Sequence, residues 1–176
     1  QKTAYEITIS NYAKVTEQIS VYEADMTYSE LFEGQKVKFW PIDEKVPDSK
    51  VSVISISDLN RALAMQNKAP ITLNDGQYLL NCNYNGTYRY VAAALQSHPE
   101  IMVGGATLQR AEDNVLQETY VMTSVGNNDR GTLIVPDSVT ASLEKDVNVL
   151  LVQYKPDADS NEVLQKMIPI GLDSTH

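Results

Sequence analysis

Apolar and polar residues come close to alternating in Tyr5-Glu6-Ile7-Thr8-Ile9 and in the β-branched run Val51-Ser52-Val53-Ile54-Ser55-Ile56. A period of two is that of a half-buried strand, and both segments are predicted to be extended. Val37–Trp40, Ile71–Leu73, Gln77–Cys82, Ile101–Val103, Ala106–Arg110, Glu118–Thr123, Thr132–Val135 and Val147–Tyr154 read as further strands. Residues 14–33 are ambiguous at their start: Val15, Ile19 and Tyr22 have helical spacing, while Val21-Tyr22 reads equally as extended.

Helix signals are short and carried by caps. Thr27 with Glu30 forms a capping-box pattern ahead of Leu31 and Phe32, and Gly34 is placed to stop a helix over 27–33. Ser57 or Asp58 is positioned to cap Leu59–Gln66, where Leu59, Ala62 and Leu63 share one face. Thr87 is expected to cap a helix whose apolar side is Tyr88, Val91, Ala92 and Leu95 and which ends before Pro99. Pro136-Asp137 opens a short capped segment, and Asp159 with Glu162 predicts a last helix bearing Val163, Leu164 and Met167. Asn74-Asp75-Gly76, Gly104-Gly105 and Gly126–Asp129 are turn signals, and residues 41–50 form a charged loop with the composition of a mobile segment. Strands and helices mix in a β-rich order without steady βαβα alternation. The expected class is therefore α+β: a mixed, mostly antiparallel sheet with several short helices, built as one domain over 1–176 or as two lobes.

Composition narrows the function. Hydrophobic residues make up 43% of the 176, too many for a disordered chain, and a domain of this length buries about two-thirds of its unfolded surface. Fourteen Lys and Arg against twenty-three Asp and Glu leave a net charge of −9 with no basic stripe. Phosphate backbones are bound through clustered cations, so nucleic acid is excluded as an expected partner, and the negative charge reads first as a solubility feature. The longest apolar runs, such as Val149–Val152, fall far short of the roughly 20 residues that span a bilayer. Gln1 opens the chain without an initiator Met or a leader, which reads as a soluble piece of a longer polypeptide.

Candidate chemistry is sparse. The glycine-rich phosphate loops, the serine nucleophile elbow and the HExxH zinc motif do not occur in the sequence. Cys82, the single cysteine, has only His98 and His176 as potential partners, and reads as a small core residue before it reads as a nucleophile. His98 stands at a predicted helix end, where an imidazole serves the helix dipole, and His176 is terminal. The pairs Asp43-Glu44, Glu112-Asp113 and Asp157 with Asp159 lack the spacing of a calcium loop and read as solvated carboxylates. Tyr84, Tyr88 and Tyr90 are candidates for an aromatic binding face, although half-buried sheet and helix positions are their commoner use. Asn85-Gly86-Thr87 matches the N-glycosylation acceptor. No catalytic residue, metal ligand or cofactor is assigned, the chain is read as no enzyme, and the binding residues are left unknown.

One passage carries a family resemblance. Val53-Ile54-Ser55-Ile56-Ser57-Asp58-Leu59-Asn60-Arg61-Ala62-Leu63, followed by Ala69-Pro70-Ile71-Thr72-Leu73-Asn74-Asp75-Gly76-Gln77-Tyr78-Leu79-Leu80, resembles the extracytoplasmic domains of Gram-positive FtsX-like ABC-transporter permeases, of the bacitracin-export BceB type and the relatives of MacB. Those domains run from a strand into a helix opened by Ser-Asp-Tyr-Asn, then through a short linker into a Pro-containing strand. This chain departs from them at Leu59, where the pattern has Tyr, and at Gln77, where it has Glu. The resemblance implies a sensing and coupling domain on the extracellular face of the cell membrane. It would contact a peptide antibiotic, a lipid or a lipoprotein, and its parent permease would pair with a separate ATP-binding subunit. A free-standing secreted or lipid-anchored binding protein is the competing expectation.

Overall fold

The structure, a computed structural model, describes residues 13–33, 49–119, 130–154 and 163–169. In chain order the elements are β1 (Ala13–Thr27), α1 (Tyr28–Leu31), β2 (Lys50–Ser55), α2 (Ile56–Met65), β3 (Gln77–Asn81), α3 (Asn85–Ser97), β4 (Glu100–Val103), β5 (Ala106–Arg110), β6 (Thr132–Val135), α4 (Asp137–Thr140), β7 (Glu144–Tyr154) and β8 (Val163–Pro169). The strands form one eight-stranded sheet in the order β4-β5-β3-β6-β2-β1-β7-β8. Among the described pairings β2–β6 and β3–β5 are parallel and the other five are antiparallel. The fold is the expected α+β, with a mixed and mostly antiparallel sheet.

Strands β3 and β6, covered on both faces, read as nearly continuous apolar runs, whereas β2, whose alternation predicts a half-buried strand, is also covered on both faces, with Lys50 alone among its residues exposed. Val51, Val53, Tyr78, Leu80, Leu133 and Val135 point to one side, where Tyr28, Leu31 and Phe32 around α1 and Val91, Ala94 and Leu95 of α3 cover them. Ile54, Leu79 and Ile134 point to the other side, against Leu59, Ala62, Leu63 and Met65 of α2 and against Ile19 of β1. The Tyr28 hydroxyl closes the start of the β2–β6 ladder, donating to the Gly131 carbonyl at 2.8 Å and accepting the Ser52 N–H at 3.2 Å. Gly131 has φ +96, and a Cβ there would meet Val91 Cγ1 at 3.1 Å, so both backbone and space favour glycine.

Several local expectations hold. Thr27 and Glu30 make both bonds of the capping box, at 3.2 and 3.0 Å, and the resulting helix is α1. The turn at Asn74–Gly76 closes with Gln77 N–H on the Asn74 carbonyl at 3.2 Å, and Gly104-Gly105 makes a two-residue hairpin turn with both φ positive.

Other expectations are corrected. Val163–Pro169 is a strand, not a helix: it pairs with β7 from Gln153↔Val163 to Val147↔Pro169, so tertiary pairing overrides a helical spacing of apolar residues. Among the described strands β8 is the last of the sheet, a position that tolerates Pro169. The ambiguous residues from Ala13 onward are strand throughout, up to Thr27. Helix α2 starts earlier than expected, with Ser55 as its cap in place of Ser57 or Asp58. Thr87 lies buried inside α3, whose capping position is Tyr84 and makes no side-chain capping bond. The segments expected as strands at Ile71–Leu73 and Glu118-Thr119 belong to no strand. In each, one residue is clasped by an asparagine. Asn60 accepts the Ile71 N–H at 2.8 Å and donates to its carbonyl at 3.0 Å, while Asn81 does the same for Glu118 at 2.9 and 3.0 Å. The expected strands at Tyr5–Ile9 and Val37–Trp40, residues 41–48 of the loop expected over 41–50, residues 120–123 of the strand expected over Glu118–Thr123, the turn at Gly126–Asp129 and the Asp159–Glu162 box lie outside the described residues, while Lys50, expected in that loop, opens β2. No helix among the described residues is long and apolar enough to cross a membrane.

Two substitutions test this packing by urea denaturation. Ile54→Ala, at a fully buried position, is expected to lower the unfolding free energy by about 2–5 kcal/mol. Asn81→Ala, at 1% exposure, removes both partners of the Glu118 backbone and is expected to cost about 1–3 kcal/mol. A loss within experimental error at either position contradicts the packing described.

Candidate functional site

Because β2 and β6 are parallel and in register to Ser55↔Val135, both chains leave the sheet at the same end, and both turn there into helices. The carboxyl ends of parallel strands are where α/β sheets gather polar chemistry. Here they bring together Ser55, Ser57, Asp58 and Arg61 from the start of α2 and Asp137 from the start of α4.

Ser55 has extended backbone, and its hydroxyl accepts the Asp58 N–H at 3.1 Å. Asp137 supplies a second cap from 80 residues away: its Oδ1 accepts the Ser57 N–H at 3.2 Å and its Oδ2 accepts the Ser57 hydroxyl. Asp58 is buried at the same helix start, where a carboxylate complements the positive end of the helix. One of its oxygens accepts the Ser20 N–H of β1 at 2.9 Å, and the other is held by Arg61, which also donates to the Gln18 carbonyl at 3.2 Å. Burial lifts the Asp58 carboxyl above the ordinary aspartate value. The Ser20 amide and Arg61 oppose that rise, and the neighbouring Asp137 carboxylate adds to it.

Chemically this is a junction. Each carboxylate oxygen already carries a donor from the protein, and among the described residues no imidazole is bonded to the Ser57–Asp137 pair to pass a proton onward. No group of three or more His, Cys, Asp or Glu side chains among the described residues is arranged to hold a metal ion. The cluster fixes the start of α2 and ties it to β1 on one side and α4 on the other.

None of the described residues weighed above as a nucleophile, imidazole, aromatic face or glycan acceptor takes part in this junction. Cys82 is fully buried, with its sulfur 3.4 Å from Thr87 Oγ1 and 3.7 Å from the Tyr84 carbonyl. His98 caps the end of α3 and meets the Leu31 carbonyl at 3.0 Å through Nε2, joining α3 to α1. Its own carbonyl accepts the Tyr78 hydroxyl, whose pKa burial pushes up to about 12, so it stays a donor. The three tyrosines do not make one face. Tyr84 is 42% exposed, with its ring over Gly86, whereas Tyr90 is in the core beneath the Arg89 guanidinium, 5.0 Å from its ring centre. In the Asn85-Gly86-Thr87 acceptor Asn85 is exposed at the first helical position, but Thr87 is 2% exposed. Glu112 and Asp113 are exposed as expected, Asp113 lying 3.6 Å from Arg110. Asp43, Glu44, Asp157, Asp159 and His176 are outside the described residues.

Asp58 gives the junction a pH signature. Its folded pKa lies above the unfolded one, so the folded state binds the proton more readily, and stability grows as pH falls through the folded value toward the ordinary 3.8. Urea midpoints across that window are expected to show this gain in the natural chain and a flatter profile for Asp58→Asn. Identical profiles for the two chains contradict a carboxyl whose affinity for the proton is raised by burial. No protein-family model, curated protein or solved structure matches the chain.

Proposed function

We propose that this chain is a non-catalytic contact domain, the extracytoplasmic sensing and coupling part of an FtsX-like ABC-transporter permease. The observation that carries the reading is the Val53–Leu80 passage, whose order of strand, capped helix, linker, turn and strand resembles that family. Its distinctive residues are supports. Ser55 caps, Asn60 clasps Ile71, and Asn74–Gly76 turns the chain into β3. Polar groups tied into internal bonds suit a body that transmits contact, and the junction at α2 links β1 to the centre of the sheet through hydrogen bonds rather than through a reactive cleft.

In this role the domain meets a peptide antibiotic, a lipid or a lipoprotein outside the cell and passes a conformational change to the membrane helices of its parent. The ATP-binding subunit is a separate chain. Such coupling requires a ligand that binds two conformations with different affinity.

The gene of the parent tests the assignment. Apolar segments of about 20 residues on both flanks, with the domain open to protease added to intact cells, are the expected result. A coding sequence that holds this stretch behind a cleavable leader alone overturns it, and leaves the secreted or lipid-anchored binding protein in its place.

A further inference from the structure

Asn85-Gly86 is the only Asn-Gly step in the sequence, and both residues are exposed at the start of α3. An N–H in the first turn of a helix has no intrahelical acceptor. The bonds that fix this turn begin one residue later: the Thr87 and Tyr88 N–H groups donate to the Tyr84 carbonyl at 3.2 and 3.0 Å, and Thr87 is buried. Tyr84, at the capping position, makes no side-chain bond to hold the residues in between. Asn85 and Gly86 therefore stand at the loose end of the helix, and a first turn without a cap opens at small cost. Gly86 also has no side chain to shield its backbone nitrogen or to limit rotation. Asp75-Gly76, equally exposed, is by contrast tied into its turn, with Gln77 N–H on the Asn74 carbonyl at 3.2 Å and Gln109 N–H on the Gly76 carbonyl at 2.8 Å.

We propose that Asn85 is a site of spontaneous deamidation in the folded protein, with water as the co-reactant and the uncapped first turn of α3 as the feature that permits it. The Gly86 backbone nitrogen attacks Asn85 Cγ. A bond forms between them, the Cγ–Nδ2 bond breaks, and the Gly86 proton leaves with the side-chain amide as ammonia. The resulting cyclic imide adds water at either carbonyl. Opening at Cγ gives aspartate, and opening at the main-chain carbonyl gives isoaspartate, whose backbone runs through the side-chain carbon. Nothing is oxidised or reduced. Either product puts a carboxylate at the start of a helix whose first turn holds no acidic residue, where the helix dipole favours one. This inference is independent of the permease reading.

The test follows the folded chain at mildly alkaline pH by peptide mapping and mass spectrometry, beside a synthetic peptide of residues 81–91 as the unstructured reference. Asn85 is expected to react ahead of every other described asparagine, at a rate within about tenfold of the peptide's, and to yield aspartate and isoaspartate together. Tyr84→Ser supplies the missing cap without opening the core, since Tyr84 is 42% exposed, and is expected to slow the reaction about fivefold. A folded chain in which Asn85 reacts more than about tenfold slower than in the peptide overturns the proposal. So does aspartate as the sole product, which would mean direct hydrolysis of the side chain. A rate unchanged or raised in Tyr84→Ser overturns the role of the uncapped turn, because loss of the ring over Gly86 without closure of the helix start only eases access.

Discussion

The rest of the structure depends on the parallel pairing of β2 with β6. Both strands lie between two apolar clusters, with the small polar Ser55 and Thr132 buried among them, so a slip in register would exchange the side chains of one core for those of the other. Parallel strands also end together. That geometry brings Ser57 within reach of Asp137, places two carboxylates at the start of one helix, and lets α2 bridge from the centre of the sheet to β1.

A second theme is the satisfaction of backbone groups where strands stop. An unpaired buried N–H or C=O is costly, and sheets of mixed direction leave many such places. Here asparagine amides clasp Ile71 and Glu118, and an aspartate–arginine pair takes the ladder positions beside Ser20 and Gln18. At these places side chains do the work of strands. The contact role proposed for the domain draws on this arrangement, because a body that relays a movement needs its loops joined to its sheet.

What could be read from the sequence follows the range of the interactions. The Thr27–Glu30 box, the Asn74–Gly76 turn and the Gly104-Gly105 hairpin are local, and they appear as their residues suggest. Strands β3 and β6 announce themselves as apolar runs, whereas the alternation of β2 suggests a half-buried strand and hides its second covered face. Helix α2 was legible as a helix but not in its first turn, because Ser55, Ser57 and Asp58 all suit a cap and only the end of β2 selects Ser55. Val163, Leu164 and Met167 have helical spacing, and only the pairing with β7, a contact distant in sequence from the cap that suggested a helix, makes the segment a strand. The junction was hidden altogether. Nothing near Asp137 points to Ser57, and the Pro136-Asp137 step after an apolar run gains meaning only once β6 is known to lie parallel to β2.

The convergence of the two strand ends is tested most directly by a double-mutant cycle between Ser57→Ala and Asp137→Ala, read by urea denaturation. The parallel arrangement predicts a favourable coupling of about 0.5–1.5 kcal/mol between residues 80 positions apart. Additive effects, with coupling indistinguishable from zero, would show that the two turns do not meet.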